Sequence, residues 1–361
     1  MVSKTNMNAL INRALDVYKK TGFKELLRRL YLYFIFKCKR LFYGYDKENI
    51  RRFHELKGKY KGKRIFILGN GPSLNQMPLY LLKDEYKMCF NRFFLMVERL
   101  NWKPDFFATT DSSIIKDMAE ELNEIAIPQV KYAFFPDLHP TNTNYMKYIK
   151  QKDNVYWLYV DKPGFSDNLP FCGINTSVVN AGIQVAAYLG FSEIYIIGVD
   201  MTFLDMKVKK INSYEWVSDQ DDKNHFDPRY FSKGRAYHNP SLNTLESFDE
   251  CKAFYADKDV KLYNAGYGGR LEAFPRVKFE EVLNIPPDKQ KTIFMEAIHS
   301  IKPGVSLDDF PLKKGGDKEF NFRVDAKDGA GMVKDFILTH VPFGPYEGMY
   351  YFLKRNENLL I

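Results

Sequence analysis

Short runs of apolar residues, separated by polar and glycine-containing turns, recur through the middle of this chain. The run at 64–68 leads directly into Gly69. A run of about five apolar residues that feeds a glycine turn is typical of a buried parallel strand. The runs at 88–91, 106–111 and 155–160 have the same character and predict further strands.

Residues 173–200 form the clearest helix-and-strand unit. Asn175 or Thr176 can cap a helix over 177–189, and Gly190 follows as its end. A strand is then predicted over 193–200, with Asp200 at its carboxyl end. Strands that alternate with helices imply an α/β fold with a doubly wound, mainly parallel sheet, whose ligand lies beyond the carboxyl ends of the strands.

The pattern divides the chain into three parts. Residues 1–60 are predicted to be a basic amphipathic helical arm, 61–285 a nucleotide-binding α/β catalytic domain, and 286–361 a small accessory segment of unknown role. Within the domain, residues 201–245 are polar and aromatic without a clear period, which predicts a long active-site loop or lid. Pro286-Pro287 marks the second boundary.

Charge changes the interpretation of the arm. The chain of 361 residues has a net charge of +8, and the basic residues are concentrated between 18 and 64. The aromatic and aliphatic run at 25–43 with flanking bases suits a helix that lies on anionic lipid. A core-packing helix whose bases are merely solvated fits the same residues, so both alternatives stay open.

Cysteine spacing and hydropathy limit the function classes. The four cysteines are far apart, without a CxxC pair or a histidine at zinc-ligand spacing, so a structural zinc site is not expected. No apolar run approaches the roughly 20 residues that cross a bilayer, and no cleavable leader is recognised. We therefore expect a cytoplasmic protein, with the arm allowing peripheral attachment to the inner face of the membrane.

The loop Gly69-Asn70-Gly71-Pro72-Ser73 is the first candidate for chemistry. Glycines after a strand let backbone amides approach a phosphate, and the start of a following helix attracts the anion. The loop is neither a Walker loop nor a GxGxxG motif. It predicts a nucleotide site, and a tight turn without a ligand is the alternative.

Polar residues at the ends of three predicted strands would share one sheet edge. They are Asn91, Asp111 and Asp200. Such residues can hold a base, a ribose or a sugar there. Each one alone is more often a helix cap, so the expectation of a shared site rests on the three together.

A polar loop at 219–231 contains the candidate general base. His225 can accept a hydroxyl proton near neutral pH, and a nearby carboxylate can orient it. Arg229 or Tyr230 can stabilise a departing phosphate. His238 is the rival base.

These motifs occur in an order that resembles one superfamily. The glycine loop, Asn91, Thr176-Ser177, the strand ending at Gly198-Val199-Asp200 and the His225 loop are similar to those of the bacterial sialyltransferases that use CMP-activated nonulosonic acids. They are also similar to those of the motility-associated-factor glycosyltransferases. The resemblance covers roughly 62–282.

The resemblance implies a modified Rossmann domain and metal-independent, inverting transfer from a CMP-sugar, with no cofactor. It assigns Asn70 and Asn91 to the nucleotide, Ser177 to the donor neighbourhood, and His225 to the acceptor hydroxyl. The family's tyrosine after the Gly-x-Asp strand is replaced by Met201-Thr202-Phe203. The leaving phosphate therefore needs another hydrogen-bond donor, for which Tyr214 and Tyr230 are the candidates.

The expected partners are a nucleotide-sugar donor, a glycan or lipid-linked acceptor and, from the basic arm, an anionic membrane surface, with homo-oligomerisation left open and no nucleic acid. A second resemblance is to the hydroxymethylpterin diphosphokinases, which share the glycine loop and transfer pyrophosphate from ATP with Mg²⁺. Asp111, Asp200 and Asp205 could hold that ion. An RNA-binding module draws support from the positive charge alone and lacks a recognisable fingerprint.

Overall fold

The computed structural model of the chain describes most of residues 22–284 and parts of the remainder. The described residues are 15, 18–19, 22–97, 100, 102–141, 143–160, 164–174, 176–202, 208–210, 215–220, 222–227, 229–231, 233–238, 244–284, 319–327, 333–340 and 350–356.

The described helices differ greatly in length. The α-helices are α1 (Phe23–Tyr43), α2 (Lys47–Leu56), α3 (Phe94–Val97), α4 (Ser112–Asp117), α5 (Ala119–Glu121), α6 (Val178–Leu189), α7 (Thr244–Tyr255) and α8 (Phe279–Leu283). Shorter 3₁₀ turns occupy Pro72–Gln76, Leu79–Leu82, Ile127–Gln129 and Tyr145–Lys147, and Leu122–Ala126 is a π-helical turn.

Eight strands form the central sheet, and all of them run parallel. In chain order they are β1 (Arg64–Leu68), β2 (Tyr86–Phe90), β3 (Phe106–Ala108), β4 (Tyr132–Pro136), β5 (Val155–Val160), β6 (Phe171–Cys172), β7 (Glu193–Ile197) and, later in the chain, β11 (Lys261–Asn264). Their order across the sheet is β11-β7-β1-β2-β3-β4-β5-β6.

Two small antiparallel sheets complete the described strands. One contains β8 (Val208–Lys210), β9 (Glu215–Ser218) and β10 (Ala236–His238), and the other contains β12 (Glu319–Lys327), β13 (Val333–His340) and β14 (Tyr350–Asn356). The segment 201–245 was expected to be a loop, and that expectation is wrong for β8, β9 and β10. Their alternation is too short to stand out from the sequence.

Burial on both faces explains why the strands of the central sheet are apolar throughout. Ile65 and Ile67 of β1 pack into one core with α6, whereas Phe66 and Leu68 pack into another core on the opposite face. Successive residues of a strand point to opposite faces, so a strand covered on both sides needs no polar positions. The predicted doubly wound α/β fold is confirmed.

The order in which the strands are added to the sheet reverses at β1. The strands β2 to β6 extend to one side, and the chain then returns through α6 to place β7 on the other side of β1. Ligands of open α/β sheets bind at such a reversal, beyond the carboxyl ends of the strands. The glycine loop follows β1 and Gly198 follows β7, so both lie at this point.

Two local predictions need correction. A helix was expected after the glycine loop, but only the 3₁₀ turn Pro72–Gln76 follows, and Pro78 comes directly after its C-cap residue, Met77. A proline amide cannot continue a helical hydrogen-bond ladder. The cap of α6 was expected at Asn175 or Thr176. It is Ser177, whose hydroxyl accepts a hydrogen bond from the Val179 amide, and Asn175 lies outside the described residues.

Candidate functional site

The loops that follow β1 and β7 are in direct backbone contact. The Gly69 amide donates to the Ile197 carbonyl at 2.8 Å, and the Gly71 amide donates to the Gly198 carbonyl at 2.8 Å. A Cβ atom on Gly71 would lie 2.5 Å from Oδ2 of Asp200, and one on Gly69 would lie 2.7 Å from Val199 Cγ2. Both glycines are therefore required by the neighbouring loop as well as being suited to a ligand.

Asp200 occupies the start of the 3₁₀ turn. Its carboxylate accepts hydrogen bonds from the Ser73 amide at 2.9 Å and from the Ser73 hydroxyl. Burial raises the pKa of Asp200, while these two hydrogen bonds and the nearby His225 act in the opposite direction. The Ser73 amide, which the sequence suggested for a phosphate, is thus engaged by a carboxylate in this structure.

Asn70 presents a buried acceptor that has no partner. Its side-chain Oδ1 is buried without a hydrogen bond, whereas its backbone carbonyl accepts from the Phe226 amide at 3.0 Å. An unsatisfied buried acceptor costs about 1–3 kcal/mol. A ligand hydroxyl or amino group would remove that cost, so Asn70 suits the binding role that was predicted for it.

The same contact holds the candidate base against the glycine loop. Residues 222–227 dock on it through the Phe226 amide and through Asn75, whose Nδ2 donates to the Phe226 carbonyl at 2.8 Å. The His225 Nδ1 lies 2.7 Å from Oδ2 of Asp222, a side chain that is fully buried. A carboxylate accepts hydrogen bonds, so Nδ1 donates to Asp222, and in the neutral form of the ring Nε2 then has the lone pair that a base needs.

The ring of Tyr230 packs against the imidazole of His225. The rings of His225 and Tyr230 are stacked, with centroids 3.9 Å apart and planes within 1° of parallel. Burial raises the pKa of Tyr230, which keeps its phenol protonated, and the Asn91 side chain hydrogen-bonds that phenol. Asn91 itself has a left-handed backbone with φ of 52° and accepts from the Thr109 hydroxyl. The predicted residues Asn91, His225 and Tyr230 therefore form one connected group.

Sequence reasoning missed an arginine pair beside this group. Arg92 is only 3% exposed, forms an ion pair with Asp117, and lies over the rings of Tyr230 and Phe231. Arg235 donates to the same carboxylate of Asp117 at 2.9 Å. Burial, followed by the charge of Arg235, lowers the pKa of Arg92. Its position directly after Asn91 was the available signal.

The remaining predicted residues are engaged elsewhere at this edge. Arg229 makes two hydrogen bonds of 3.0 Å to the buried Asp227 carboxylate. Asp111 caps α4 by accepting from the Ser113 amide at 2.8 Å, and the Thr176 hydroxyl donates to Ser247 at 3.0 Å. Tyr214 and Asp205 lie outside the described residues, as does the side chain of His238.

A cleft of about 770 Å³ opens on the other side of Asp200, over the carboxyl ends of β7 and β11. Gly266, Tyr267, Gly268 and Gly269 form one wall, and Pro72 and Ser73 reach it from the glycine loop. The Tyr267 hydroxyl donates to Glu280, a side chain that also lines the cleft. Gly-Tyr-Gly-Gly after a strand follows the same pattern as the loop after β1, so this wall could have been found from the sequence.

The described residues contain no group of three His, Cys, Asp or Glu side chains arranged to hold a metal ion. Asp111 and Asp200, two of the carboxylates considered for Mg²⁺, are each committed to backbone amides. Asp205, the third of these carboxylates, lies outside the described residues, and metal independence stays a prediction.

Comparison with known proteins gives one family match. A model of the family described as 6-hydroxymethylpterin diphosphokinase MptE-like matches residues 42–206, somewhat less than half of the chain. This segment contains α2, β1 to β7 and both loops at the reversal point. No curated protein matches the chain.

Two solved structures are similar to the chain at low identity. A Maf glycosyltransferase from Magnetospirillum magneticum AMB-1 shares 14% identity, with a TM-score of 0.40, over 70% of this chain and 41% of that one. The sialyltransferase CstII from Campylobacter jejuni, solved with the substrate analogue cytidine-5'-monophosphate, shares 14% identity, with a TM-score of 0.36, over 60% of this chain and 85% of that one. The chain thus spans about two fifths of the length of the Maf protein.

Proposed function

We propose that this chain is a glycosyltransferase of bacterial surface-glycan biosynthesis that transfers a nonulosonic, sialic-acid-like sugar from a CMP donor with inversion. One observation carries the proposal. An imidazole held by a buried carboxylate, His225 with Asp222, is docked on the glycine loop at the point where the sheet reverses.

The reaction needs a base and a stabilised leaving group. In the proposed step, the acceptor hydroxyl oxygen forms a bond to the anomeric carbon of the donor sugar as the bond from that carbon to the phosphate oxygen breaks. CMP departs with the electron pair of the broken bond, and the hydroxyl proton moves to Nε2 of His225. Asp222 then stabilises the imidazolium, which is the role of a carboxylate behind a catalytic histidine.

The two substrates are assigned to the two sides of Asp200. The unpartnered Asn70 Oδ1 can accept a hydrogen bond from an N–H or O–H group of the nucleotide, and Asn91 follows the neighbouring strand β2. The cleft between Ser73 and Tyr267 has the volume for an acceptor sugar. The Phe226 amide donates to the Asn70 carbonyl, which holds the neighbouring His225 beside the glycine loop, and Asp200 lines the cleft on the other side of that loop.

Transfer of pyrophosphate from ATP is the second candidate, and the match of residues 42–206 to the diphosphokinase family favours it. That reaction uses Mg²⁺ held by carboxylates and substrate phosphates. Of the three carboxylates considered for the ion, Asp111 and Asp200 are engaged with backbone amides. The glycosyltransferase would bind CMP without a metal ion, whereas the diphosphokinase would bind ATP with Mg²⁺.

A thermal-shift panel separates them. A ligand at a hundred times its Kd stabilises the native state by about 2.7 kcal/mol, which raises the Tm by several degrees. We expect CMP to do so in EDTA, and Asn70→Ala to remove the shift while leaving the Tm of the free protein close to that of the wild type. A shift with ATP that requires Mg²⁺, and none with CMP, would instead establish the diphosphokinase.

A further inference from the structure

The long helix α1 is attached to the domain along one narrow side. Of its 21 residues, only Phe36 and Arg40 are buried. Arg40 makes two hydrogen bonds of 2.6 Å to the Asp137 carboxylate, and both side chains are less than 10% exposed. The guanidinium also lies over the rings of Tyr45 and Tyr159. This bidentate contact fixes the carboxyl-terminal part of the helix beside the end of β4.

The opposite side of α1 carries large apolar side chains in the open. They recur at spacings of three, four and seven residues, which places them on one face of a helix. The face consists of Phe23, Leu27, Leu30, Phe34 and Leu41, which are 62%, 50%, 52%, 66% and 86% exposed. We call this set the apolar face of α1.

This exposure is evidence against one of the two interpretations that the sequence left open, the core-packing helix. A core-packing helix would bury these residues, as α6 buries ten of its twelve. Single exposed apolar residues are ordinary, but a contiguous row of them marks a contact surface. The apolar face is about 30 Å long, the length of a 21-residue helix.

Charge identifies what can cover that face. Apart from the buried Arg40, the bases of the helix are Lys24, Arg28, Arg29, Lys37 and Lys39, against one acid, Glu25. Arg28 and Arg29 both form ion pairs with Glu25, so the negative charge of this acid is already paired within the helix. A second copy of the helix would bring bases against bases, whereas an anionic lipid surface complements them.

We propose that α1 lies in the interface of an anionic bilayer, with its apolar face among the acyl chains and its bases among the lipid phosphates. Within the part of the chain that the structure describes, no helix is long and apolar enough to span a membrane. An amphipathic helix with one apolar face and flanking bases binds in the plane of the interface instead. This inference is independent of the reaction assigned to the domain.

Vesicle sedimentation of the full chain tests the proposal. We expect binding to phosphatidylglycerol-containing vesicles, weaker binding to pure phosphatidylcholine vesicles, and partial loss in high salt. The double variant Leu30→Glu/Phe34→Glu should bind at least tenfold more weakly, because two large apolar side chains can no longer enter the interface. Both positions are more than half exposed, so the fold should be unaffected, which the Tm checks.

A matched control separates position from charge. Ile125→Glu/Met146→Glu adds the same two charges at apolar residues that are 40% and 57% exposed elsewhere on the domain. It should bind vesicles as the wild type does, apart from a small loss from its added negative charge. Equal loss in both doubles, or no binding by the wild type, overturns the proposal. A wild-type dimer that Leu30→Glu/Phe34→Glu converts to a monomer, without vesicle binding, assigns the face to a second copy.

Discussion

The carboxyl edge of the sheet has two sides that are built differently. On the β2 side, Asn91 contacts Tyr230, Tyr230 stacks on His225, and the buried Arg92 forms an ion pair with the partly exposed Asp117. On the β11 side, glycines and Tyr267 line an open cleft. Buried polar networks fix a geometry, whereas an open cleft leaves room for a substrate. The difference suggests that the chemistry is held on the first side and that a substrate is admitted on the second.

Removal of the base should give the largest effect. His225→Ala is expected to lower kcat by about 10²–10⁴-fold, the usual contribution of a well-placed general base, with the nucleotide affinity nearly unchanged. Single-turnover transfer from a CMP-sugar, together with CMP titration, measures both quantities. His238→Ala is the comparison variant. If it abolishes transfer while His225→Ala remains active, the base has been misassigned.

The second-largest effect is expected from a methyl group added between the loops that follow β1 and β7. Gly69→Ala should lower the free energy of unfolding by about 1–3 kcal/mol, because its Cβ would meet the backbone of the β7 loop and Val199, which cannot move far. Gly266→Ala is the matched change on the open side, where the nearest atom is 3.2 Å away. Denaturant unfolding should leave this variant near the wild type. Equal losses at the two glycines would remove the distinction between a closed side and an open one.

Loss of the cleft wall should have a smaller effect on catalysis. Tyr267→Ala is expected to raise the acceptor KM by roughly three- to tenfold through lost aromatic contact, with kcat unchanged. Initial rates over a range of acceptor concentrations measure this, and the nucleotide affinity serves as the control. A change in kcat with constant KM would place Tyr267 with the catalytic group instead.

The pH dependence of Asp200 should give the smallest effect. Burial raises its pKa in the folded state, so its contribution to stability is present at low pH and is lost as pH rises through that pKa. Asp200→Asn cannot ionise and escapes this loss. The Tm of the variant relative to the wild type should therefore increase by a few degrees between about pH 3 and pH 7. A constant difference would mean that Ser73 fully compensates for the burial.

Much of the sheet could be predicted from the sequence, because its strands are continuous apolar runs that end at polar residues or glycines. The runs of β1 and β5 predict their strands at the observed positions. The run of β4 was missed, since a proline at its end, Pro136, reads as a break. Short strands such as β9 alternate over too few residues to be recognised.

The site was predictable where a residue ends a strand and was not where distant segments meet. Asn91 and Asp200 were found by their position after β2 and β7. The contact of Phe226 with Asn70 joins residues more than 150 positions apart, and neither residue type announces it. The shared carboxylate of Asp117 was missed for the same reason, since Arg235 reaches it from a distant segment.

The position of β1 inside the sheet also has a consequence for synthesis of the chain. One edge of β1 pairs with β2, which follows closely, but the other waits for β7, whose partner residues lie roughly 130 positions later. At about 5–20 residues per second, a ribosome needs on the order of ten seconds to supply them. During that interval the growing chain carries an apolar strand with unpaired amides and carbonyls, the kind of edge that recruits other chains. A chaperone that binds the nascent chain and shields the segment until residue 197 emerges would then increase the yield of folded protein.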